Sequence, residues 1–441
     1  MITNQKVPIS TPSDYSLLPW KIWACGSFFY FFQFILRISP SIITEDLMRH
    51  FNVQSYALGV LSAFFYNAYA LMQVPIGMIV DRFGPRKILA LSCLTTVIGT
   101  LLFSLAKSLS MASFGRLLIG AGSACALLGS IKLITLWFPP QRVGRLIGLT
   151  IFLGTLGASM GGAPLAFLIE KTNWKIAFLL LAILGLCLAL TIWLVVKDKN
   201  PQDNPWNRPL SPENEGASLL KGLLIIIRMP KIWIIAIYSA LMYVPIAAFA
   251  DLWGVPFVRE IYNLDRPVAA SVISMIFIGA AIGSPISTFL SDHFKTRLWP
   301  MMISAIGSLL VYATIIYLPG IPLSVMYILL FLAGIFYSGK ILSFASICDI
   351  IPHSVSGVAI GFANMTVMLS GVICLPLIGG LLDQFWQGKI TNGLPDYTLS
   401  EWRFALLPIP FSVLIALLLL KFIPETFPEE LKSPLNSDST E

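Results

Sequence analysis

The sequence predicts an all-α membrane protein with twelve transmembrane helices, arranged as two six-helix halves related by pseudo-symmetry. Three observations predict this fold class: a composition poor in charge, long apolar segments and an internal repeat. Of the 441 residues, 56% are hydrophobic and only 12% are charged, whereas soluble domains usually carry about a quarter charged residues. A chain with so few charges cannot cover itself with a water-facing surface, so most of its surface must face lipid.

Twelve apolar segments are long enough to cross a bilayer, which takes about 20 residues in a helix. The longest polar break between them is rich in proline and divides the segments six and six. The predicted organisation is therefore an N-terminal six-helix bundle over 1–196, a cytoplasmic linker over 197–229 and a C-terminal six-helix bundle over 230–441. The predicted spans are 20–43, 56–80, 88–107, 110–133, 143–169, 174–196, 230–257, 267–290, 298–318, 323–350, 355–382 and 402–423.

Basic residues are distributed unevenly between the two sides of these spans. With the N-terminus placed in the cytoplasm, 17 of the 29 Lys and Arg residues fall on the cytoplasmic side and eight on the other. Cytoplasmic loops of membrane proteins carry such an excess, so both termini are predicted to be cytoplasmic. The net charge of +7 is thereby explained by topology, and a nucleic-acid partner is not expected.

The two predicted halves repeat each other. Lys21-Ile22-Trp23 recurs as Lys231-Ile232-Trp233, and Asp81-Arg82-Phe83 recurs as Asp292-His293-Phe294 at nearly the same offset. Parallel six-helix repeats place a substrate site at their interface near the middle of the bilayer. Polar groups within the spans are therefore the candidate functional residues.

The loop after the second span carries a motif of glycines and charged residues, which is similar to the loop motif of the major facilitator superfamily. A carboxylate and a guanidinium at the cytoplasmic ends of helices can hold those ends together in one conformation and release them in another. We predict a gate there; the alternative is a basic cytoplasmic loop without a gating role. The predicted gate residues are Gly77, Asp81, Arg82, Gly84, Arg86 and Lys87, with Asp292 and Arg297 as a degraded copy in the second half.

Two further segments extend the resemblance over most of the chain. Arg116 with Gly120 and Gly122 resembles the second motif of the superfamily, and the glycine-rich fifth span resembles the third. Arg37-Ile38-Ser39-Pro40 and Gln73-Val74-Pro75 resemble the organic anion:cation symporter branch. The chain is also similar to nutrient importers of intracellular bacteria and to lysosomal dipeptide transporters. The resemblance implies a major facilitator fold, a bacterial inner membrane, a monomer and proton-coupled secondary transport.

Arg37 is the main candidate for substrate binding. In the organic anion:cation symporter branch the arginine of the first helix binds the substrate carboxylate, and that role transfers here to Arg37. The branch's acidic residues beside this arginine and in the fourth span are replaced by Leu36 and Ser123, so its route for protons does not transfer. The alternative is that Arg37 is a structural cation paired with Glu45 or Asp46, because charged groups within a span need a partner.

Other ionisable residues within the spans supply the remaining candidates. Lys340 is predicted to be a second contact for an anion, or the counter-ion that alternates with it, against a snorkelling or structural lysine. Asp251 is predicted to carry the proton, against a residue at the interfacial end of its helix. Arg116 is a second coupling candidate, against a pairing inside the N-terminal half.

Neutral contacts to the substrate are predicted from Tyr66, Asn67 and Asn364. The sequence contains no paired carboxylates, Ser/His set or metal ligands at a membrane face, so we expect neither an enzyme nor a metal or other cofactor.

The leading functional prediction is uptake of a small anionic or zwitterionic solute that bears a carboxylate: an amino acid, a dipeptide or an organic acid. Protons are the predicted coupling ion, and sodium is the alternative. Export of a drug-like molecule or siderophore is the competing transport function. From a different class, a non-transporting membrane sensor remains open, although the linker over 197–229 is short for an output domain.

Overall fold

The computed structural model describes residues 17–198, 224–351, 355–391 and 393–428, without the side chains of Asp81 and Ser356. Within them, twelve helices are long and apolar enough to cross a membrane, which confirms the predicted fold class. Most of the predicted linker, 199–223, lies outside the described residues. Spans 1 to 12 are Leu18–Ser41, Ser55–Val80, Pro85–Ser104, Leu109–Trp137, Pro140–Lys171, Trp174–Val195, Pro230–Tyr262, Arg266–Phe294, Leu298–Tyr317, Leu323–Asp349, Gly357–Phe385 and Leu399–Phe422.

Several spans are broken where proline or glycine interrupts the helical hydrogen bonds. Span 7 contains a π-helical segment that begins at Pro245, and such segments are frequent at functional sites. The broken spans consist of Leu18–Ile38 and Ser39–Ser41 in span 1, Leu109–Ser123 and Cys125–Trp137 in span 4, Pro140–Met160 and Ala163–Lys171 in span 5, Pro230–Val244, Pro245–Trp253 and Gly254–Tyr262 in span 7, Leu323–Tyr337, Ser338–Lys340 and Ile341–Asp349 in span 10, and Leu399–Ala405, Pro408–Leu419 and Leu420–Phe422 in span 12.

The twelve spans bring both ends of the described chain to one end of the bundle. We call this the cytoplasmic end, as the distribution of basic residues predicts, and the opposite end the outer end. Between spans 1 and 2 a short helix, Thr44–Phe51, lies at the outer end. Between spans 11 and 12 the chain forms an antiparallel hairpin of two short strands, Ile390–Thr391 and Leu394–Pro395.

Each half is fastened at the cytoplasmic end by a carboxylate that follows its sixth helix. In the first half, Asp198 accepts a hydrogen bond of 2.9 Å from the backbone N–H of Arg86, at the start of span 3. In the second half, Glu425 accepts one of 2.8 Å from the backbone N–H of Arg297, just before span 9. We call these two contacts the carboxylate clasps. They occupy equivalent places in the two halves and so support the internal repeat.

The second clasp is strengthened by further donors. Partial burial alone would raise the pKa of Glu425, but hydrogen bonds from the Arg297 backbone and the Thr296 hydroxyl outweigh it and hold this pKa below its usual value. The ionised carboxylate is also favoured there because the start of a helix carries partial positive charge.

The halves meet along span 2 with span 11 and along span 5 with span 8. At the outer end the backbones touch: a Cβ on Gly59 would lie 2.4 Å from the carbonyl oxygen of Leu375, and one on Gly379 would lie 2.4 Å from that of Ser55. At the cytoplasmic end, four glycines of spans 5 and 11 have no described neighbour from another helix within 4 Å of where a Cβ would lie: Gly144, Gly148, Gly357 and Gly361. The described part of the bundle is therefore closed at the outer end and splayed at the cytoplasmic end.

Candidate functional site

Arg37 and Asp251 form a buried ion pair between the two halves at the centre of the bundle. The Nε and Nη2 groups of Arg37 donate hydrogen bonds of 2.9 and 2.6 Å to Oδ2 of Asp251. Their side chains are only 7% and 1% exposed. Asp251 lies in the π-helical segment of span 7, well inside the span rather than at its end. The other carboxylate oxygen, Oδ1, has no hydrogen-bond partner among the described residues.

The alternative partners predicted for Arg37 bind elsewhere. Glu45 pairs with Arg259, and Asp46 pairs with Arg266 at 2.7 Å. Both acids belong to the first half and both arginines to the second, so these outer ion pairs join the halves at the outer end. Neither pairing was predicted from the sequence, because both acids were expected to be partners of Arg37.

Tyr66 completes the central pair. Its hydroxyl donates a hydrogen bond to Asp251 and accepts one of 3.3 Å from Arg37 Nη2. The guanidinium also lies over the rings of Tyr66, Phe34 and Tyr243, with its central carbon 5.2, 5.2 and 5.3 Å from the ring centroids. Aromatic faces attract a desolvated cation, so this shell favours a charged guanidinium in the interior.

Arg116 contacts the backbone of span 1 rather than a carboxylate. Pro40 has no N–H, so the carbonyl of Leu36 lacks its helical donor. Arg116 Nη1 donates to that carbonyl at 2.7 Å, and its Nη2 donates to the carbonyl of Arg37 at 3.4 Å. The predicted pairing inside the N-terminal half is thus with backbone oxygens, where it fixes the helix end that presents Arg37. Its predicted coupling role stays a prediction.

Lys340 is a second buried cation close to the pair. It lies in a short 3₁₀ turn in span 10, and the side chain is buried instead of reaching for the interface. Its ammonium nitrogen lies 4.7 Å from the ring centroid of Tyr243 and 5.2 Å from that of Phe344. In the described part of the chain it makes no ion pair.

The ring of Tyr243 is close to both cations. Since Arg37 and Lys340 each lie about 5 Å from the centroid of its ring, their charges are at most about 10 Å apart. The Tyr243 hydroxyl is buried and has no hydrogen-bond partner in the described ranges. In the sequence it is one of several neutral polar groups at a plausible cavity depth, and it was not among the predicted substrate contacts.

The central cluster, which we define as Arg37, Tyr66, Tyr243, Asp251 and Lys340, has more cations than carboxylates. One positive charge pairs with Asp251, and among the described residues the charge of Lys340 is balanced only by aromatic rings. Burial of an unpaired charge is costly, and an anion entering this low-dielectric site would be attracted more strongly than in water. The geometry therefore suits a negatively charged ligand.

Two predicted neutral contacts lie outside this cluster. Asn67 is exposed, on the same face of span 2 as Leu71, whereas the neighbouring Tyr66 points to the cluster. Asn364 donates a hydrogen bond of 2.9 Å across the halves to Gln73. The structure therefore brings three of the five predicted substrate contacts to the centre: Arg37, Lys340 and Tyr66.

The described contacts of the predicted gate residues of the first half lie within that half. Gly84 adopts a φ of +83°, and a Cβ there would lie 2.8 Å from the carboxylate of Asp198. Arg86 donates to the carbonyl of Trp193 at 3.0 Å, and Arg82 stacks on Phe83. The other three are Gly77, which faces open space, Lys87, which is exposed, and Asp81, whose side chain is outside the described residues.

The gate residues of the second half behave likewise. Arg297 contacts Asp292 at 3.3 Å and Asp349 at 3.1 Å, all within the second half. Because these contacts are internal to each half, the gate role stays a prediction.

The outer end also contains a cavity of about 260 Å³, lined among others by Glu45, Arg259 and Tyr397. None of the residues of the central cluster lines it, so it is a separate feature.

Comparison with known proteins gives the family. The family sequence profile described as Major Facilitator Superfamily matches residues 22–255 and 252–438. The membrane sensor protein UhpC of Salmonella typhimurium is 23% identical over 430 residues, which cover 93% of this chain and 91% of UhpC. The hexuronate transporter of Bacillus subtilis is 24% identical over 388 residues, covering 82% and 87%. The transporter YybO of Bacillus subtilis aligns over 174 residues at 25% identity, 40% of its length.

Solved structures agree with the fold. A bacterial homologue of the human lysosomal transporter Spinster, in an inward-facing and unoccupied conformation, superposes with a TM-score of 0.74 at 17% identity and covers 92% of this chain and 95% of that one. The two profile matches together span nearly all of the described residues. This chain is a multi-pass membrane protein that belongs to the Major Facilitator Superfamily.

Proposed function

We propose that this protein is a secondary transporter that takes up a small carboxylate-bearing solute by proton symport across a bacterial inner membrane, with both termini cytoplasmic. The observation that carries the proposal is the excess of positive charge in the central cluster, which lies between the halves. In an alternating-access cycle this is the place that each side of the membrane reaches in turn. A relative named as a hexuronate transporter is consistent with an organic anion as the solute.

The cluster suggests how solute and proton share one site. In the described conformation Arg37 is occupied by Asp251, whereas the ammonium of Lys340 has no carboxylate partner. The solute carboxylate first meets Lys340 and then replaces Asp251 on the guanidinium of Arg37, which can hold a carboxylate through two parallel hydrogen bonds. Asp251, released from its cation, takes up a proton and keeps the buried charge balanced.

Tyr66 supports this exchange because its hydroxyl touches both members of the pair. After the solute has bound, the same hydroxyl can turn from Asp251 to the solute without leaving the guanidinium. Asp251 thereby supplies the acid that Leu36 and Ser123 do not.

The proposal is tested first with purified protein and a thermal-shift screen against amino acids, dipeptides and organic acids. A ligand that binds the folded state raises its unfolding temperature by mass action. The best ligand is then followed as flux into proteoliposomes with an imposed proton gradient. Accumulation that depends on the proton gradient supports symport, and accumulation driven by sodium alone contradicts it.

The role of Arg37 is tested by a cycle between protein and ligand. Amidation of the ligand carboxylate should weaken binding to the wild type by at least tenfold and to Arg37→Ala far less. Arg37→Lys should also bind poorly, because an ammonium cannot offer the planar pair of donors. Arg403→Lys is the matched control, since the guanidinium of Arg403 donates a hydrogen bond to a backbone carbonyl of span 9 and to no other group among the described residues. Equal amidation penalties in wild type and Arg37→Ala would contradict carboxylate binding by Arg37.

Asp251→Asn tests the proton step separately. The variant should lose accumulation against a gradient and retain exchange of internal for external solute, because exchange requires no net proton movement. An Asp251→Asn protein that still concentrates solute would remove Asp251 from the coupling mechanism.

A sensor function is the second candidate, because the UhpC alignment covers more of this chain than the hexuronate transporter alignment. Both functions require a binding site for a solute, so the thermal-shift screen does not separate them. Flux does: a sensor binds the ligand without moving it. Outward flux of solute under the same gradient would instead favour the exporter alternative.

A further inference from the structure

The start of span 2 is capped by a residue of the other half. The first N–H groups of a helix have no partner inside that helix, and the preceding residue, Gln54, makes no capping hydrogen bond with its side chain. The backbone N–H of Ser55 instead donates to Oδ1 of Asp383 at 3.0 Å, and that of Tyr56 donates to Oδ2 at 2.7 Å. Asp383 belongs to span 11, so one half completes the helix of the other.

The cap is held in place by a tyrosine. The hydroxyl of Tyr397 donates to Oδ1 of Asp383 at 2.7 Å and accepts a hydrogen bond of 2.8 Å from the Ser55 hydroxyl. A carboxylate at this position is also favoured by the positive end of the helix dipole. The outer end of the bundle thus contains a small inter-half network with two charge-assisted backbone contacts, which are stronger than neutral ones.

Span 11 touches span 2 again at the central cluster. A Cβ on Gly371 of span 11 would lie 2.4 Å from the ring of Tyr66, so the tyrosine packs directly on the backbone of the other half. Gly59 and Gly379 bring the two backbones together between this point and the cap. The capped end and Tyr66 are therefore parts of one rigid seam.

We infer that Asp383 is a positioning residue that links closure of the outer end to the placement of Tyr66 at the Arg37–Asp251 pair. Since Asp383 and Ser55 lie in different halves, any movement that separates the halves at the outer end breaks both N–H contacts. The cap therefore stabilises the closed conformation relative to the open one, and Tyr66 moves with span 2 when spans 2 and 11 separate. This inference goes beyond the proposed function and requires neither a carboxylate solute nor proton coupling.

The test measures separation of the two halves at the outer end, reported at the contact between spans 5 and 8, without any solute. The six native cysteines are replaced by alanine, and Ser274→Cys is introduced in span 8, where Ser274 is 8% exposed and packs against Gly162 of the other half. Labelling of this cysteine by a water-soluble thiol reagent is followed in detergent, well below the unfolding temperature. Asp383→Ala should raise the labelling rate roughly three- to tenfold, the effect expected for loss of an N-cap.

Asp396→Ala is the matched control. It removes a carboxylate from the same loop region, but Asp396 binds Lys389 and Thr391 of its own half, so labelling should stay within twofold of the background. Asp383→Asn keeps the shape and one acceptor oxygen for two N–H groups, and it should label at an intermediate rate.

If gel filtration shows that Asp383→Ala does not fold, the labelling rate of Asp383→Asn alone tests the inference. Faster labelling of folded Asp383 variants than of the control supports the inference. Equal labelling of the background, Asp383→Asn and Asp396→Ala overturns it, because the cap would then contribute nothing to closure. Loss of thermal stability without faster labelling also overturns it, since that is the result expected of a merely structural residue.

Discussion

The Arg37–Asp251 pair allows a prediction of both sign and size. We consider Arg37→Met, Asp251→Asn and the double variant, each of which approximately keeps the side-chain volume. Breaking a buried ion pair by removal of one partner costs about 3–5 kcal/mol, because it leaves a buried charge without compensation. Both side chains are less than a tenth exposed, so solvent does not screen the remaining charge.

The two single variants should differ in a way that the contacts specify. In Arg37→Met, Asp251 keeps only the hydrogen bond from Tyr66, so we expect a loss of about 4 kcal/mol. In Asp251→Asn, the guanidinium keeps its aromatic shell and the tyrosine hydroxyl, so we expect about 3 kcal/mol. The double variant removes both charges and should lose only about 1–2 kcal/mol, the scale of a neutral hydrogen bond and imperfect packing.

The assay is a double-mutant cycle on the free energy of unfolding of the four detergent-purified proteins in denaturant. The predicted coupling, the difference between the double variant and the sum of the singles, is about 5 kcal/mol. The double variant should be more stable than either single one. Additive losses, or a double variant less stable than both singles, would refute the conclusion that these two residues form a buried, mutually compensating pair.

Three further predictions concern Lys340, the Glu45–Arg259 ion pair and Gly84. Lys340→Met should stabilise the empty protein by on the order of 1 kcal/mol, because it removes a buried cation that no described carboxylate balances. The same variant should bind an anionic ligand more than tenfold more weakly in the thermal-shift assay. A destabilised variant with normal binding would show that the lysine is structural. Glu45→Arg should speed thiol labelling of Ser274→Cys by like-charge repulsion with Arg259, and adding Arg259→Glu should restore the slow rate. An additive double variant would mean that the two groups do not interact. Gly84→Ala should lose about 1–3 kcal/mol of unfolding free energy, since its φ is positive and its Cβ would meet a carboxylate; Gly77→Ala, with open space around it, is the control and should be nearly neutral.

The fold was predictable because the sequence patterns that indicate it extend over long segments of the chain. Twelve apolar segments and a repeated set of charged loop residues place every span near its observed bounds. The breaks inside the spans were harder to predict from the sequence. Pro245 indicates an interruption of the helix, but it does not indicate that a π-helical segment turns Asp251 inward. The sequence placed this acid near the end of its helix, whereas the structure places it opposite Arg37.

The candidate site was predicted residue by residue but not contact by contact. Arg37, Asp251 and Tyr66 were each selected as polar groups within spans, and the structure brings them together. No rule of local spacing links residues of spans 1, 2 and 7, because their contact depends on how the two halves dock. For the same reason the cap on span 2 was missed: Asp383 and Ser55 are 328 residues apart, and each alone is an ordinary residue at a helix end.

The carboxylate clasps have a consequence for how the molecule can be divided. Asp198 and Glu425 each tie the chain that leaves a sixth helix to the start of the third helix of the same half. A chain cut between 199 and 223 would leave both clasps intact. We therefore expect two separately encoded fragments, ending and beginning within that interval, to assemble in one membrane and to bind the same ligand as the intact chain, as a thermal-shift measurement on the copurified pair would show. The covalent connection would then act as a tether that keeps the halves at high local concentration, while the fold of each is specified by its own six helices.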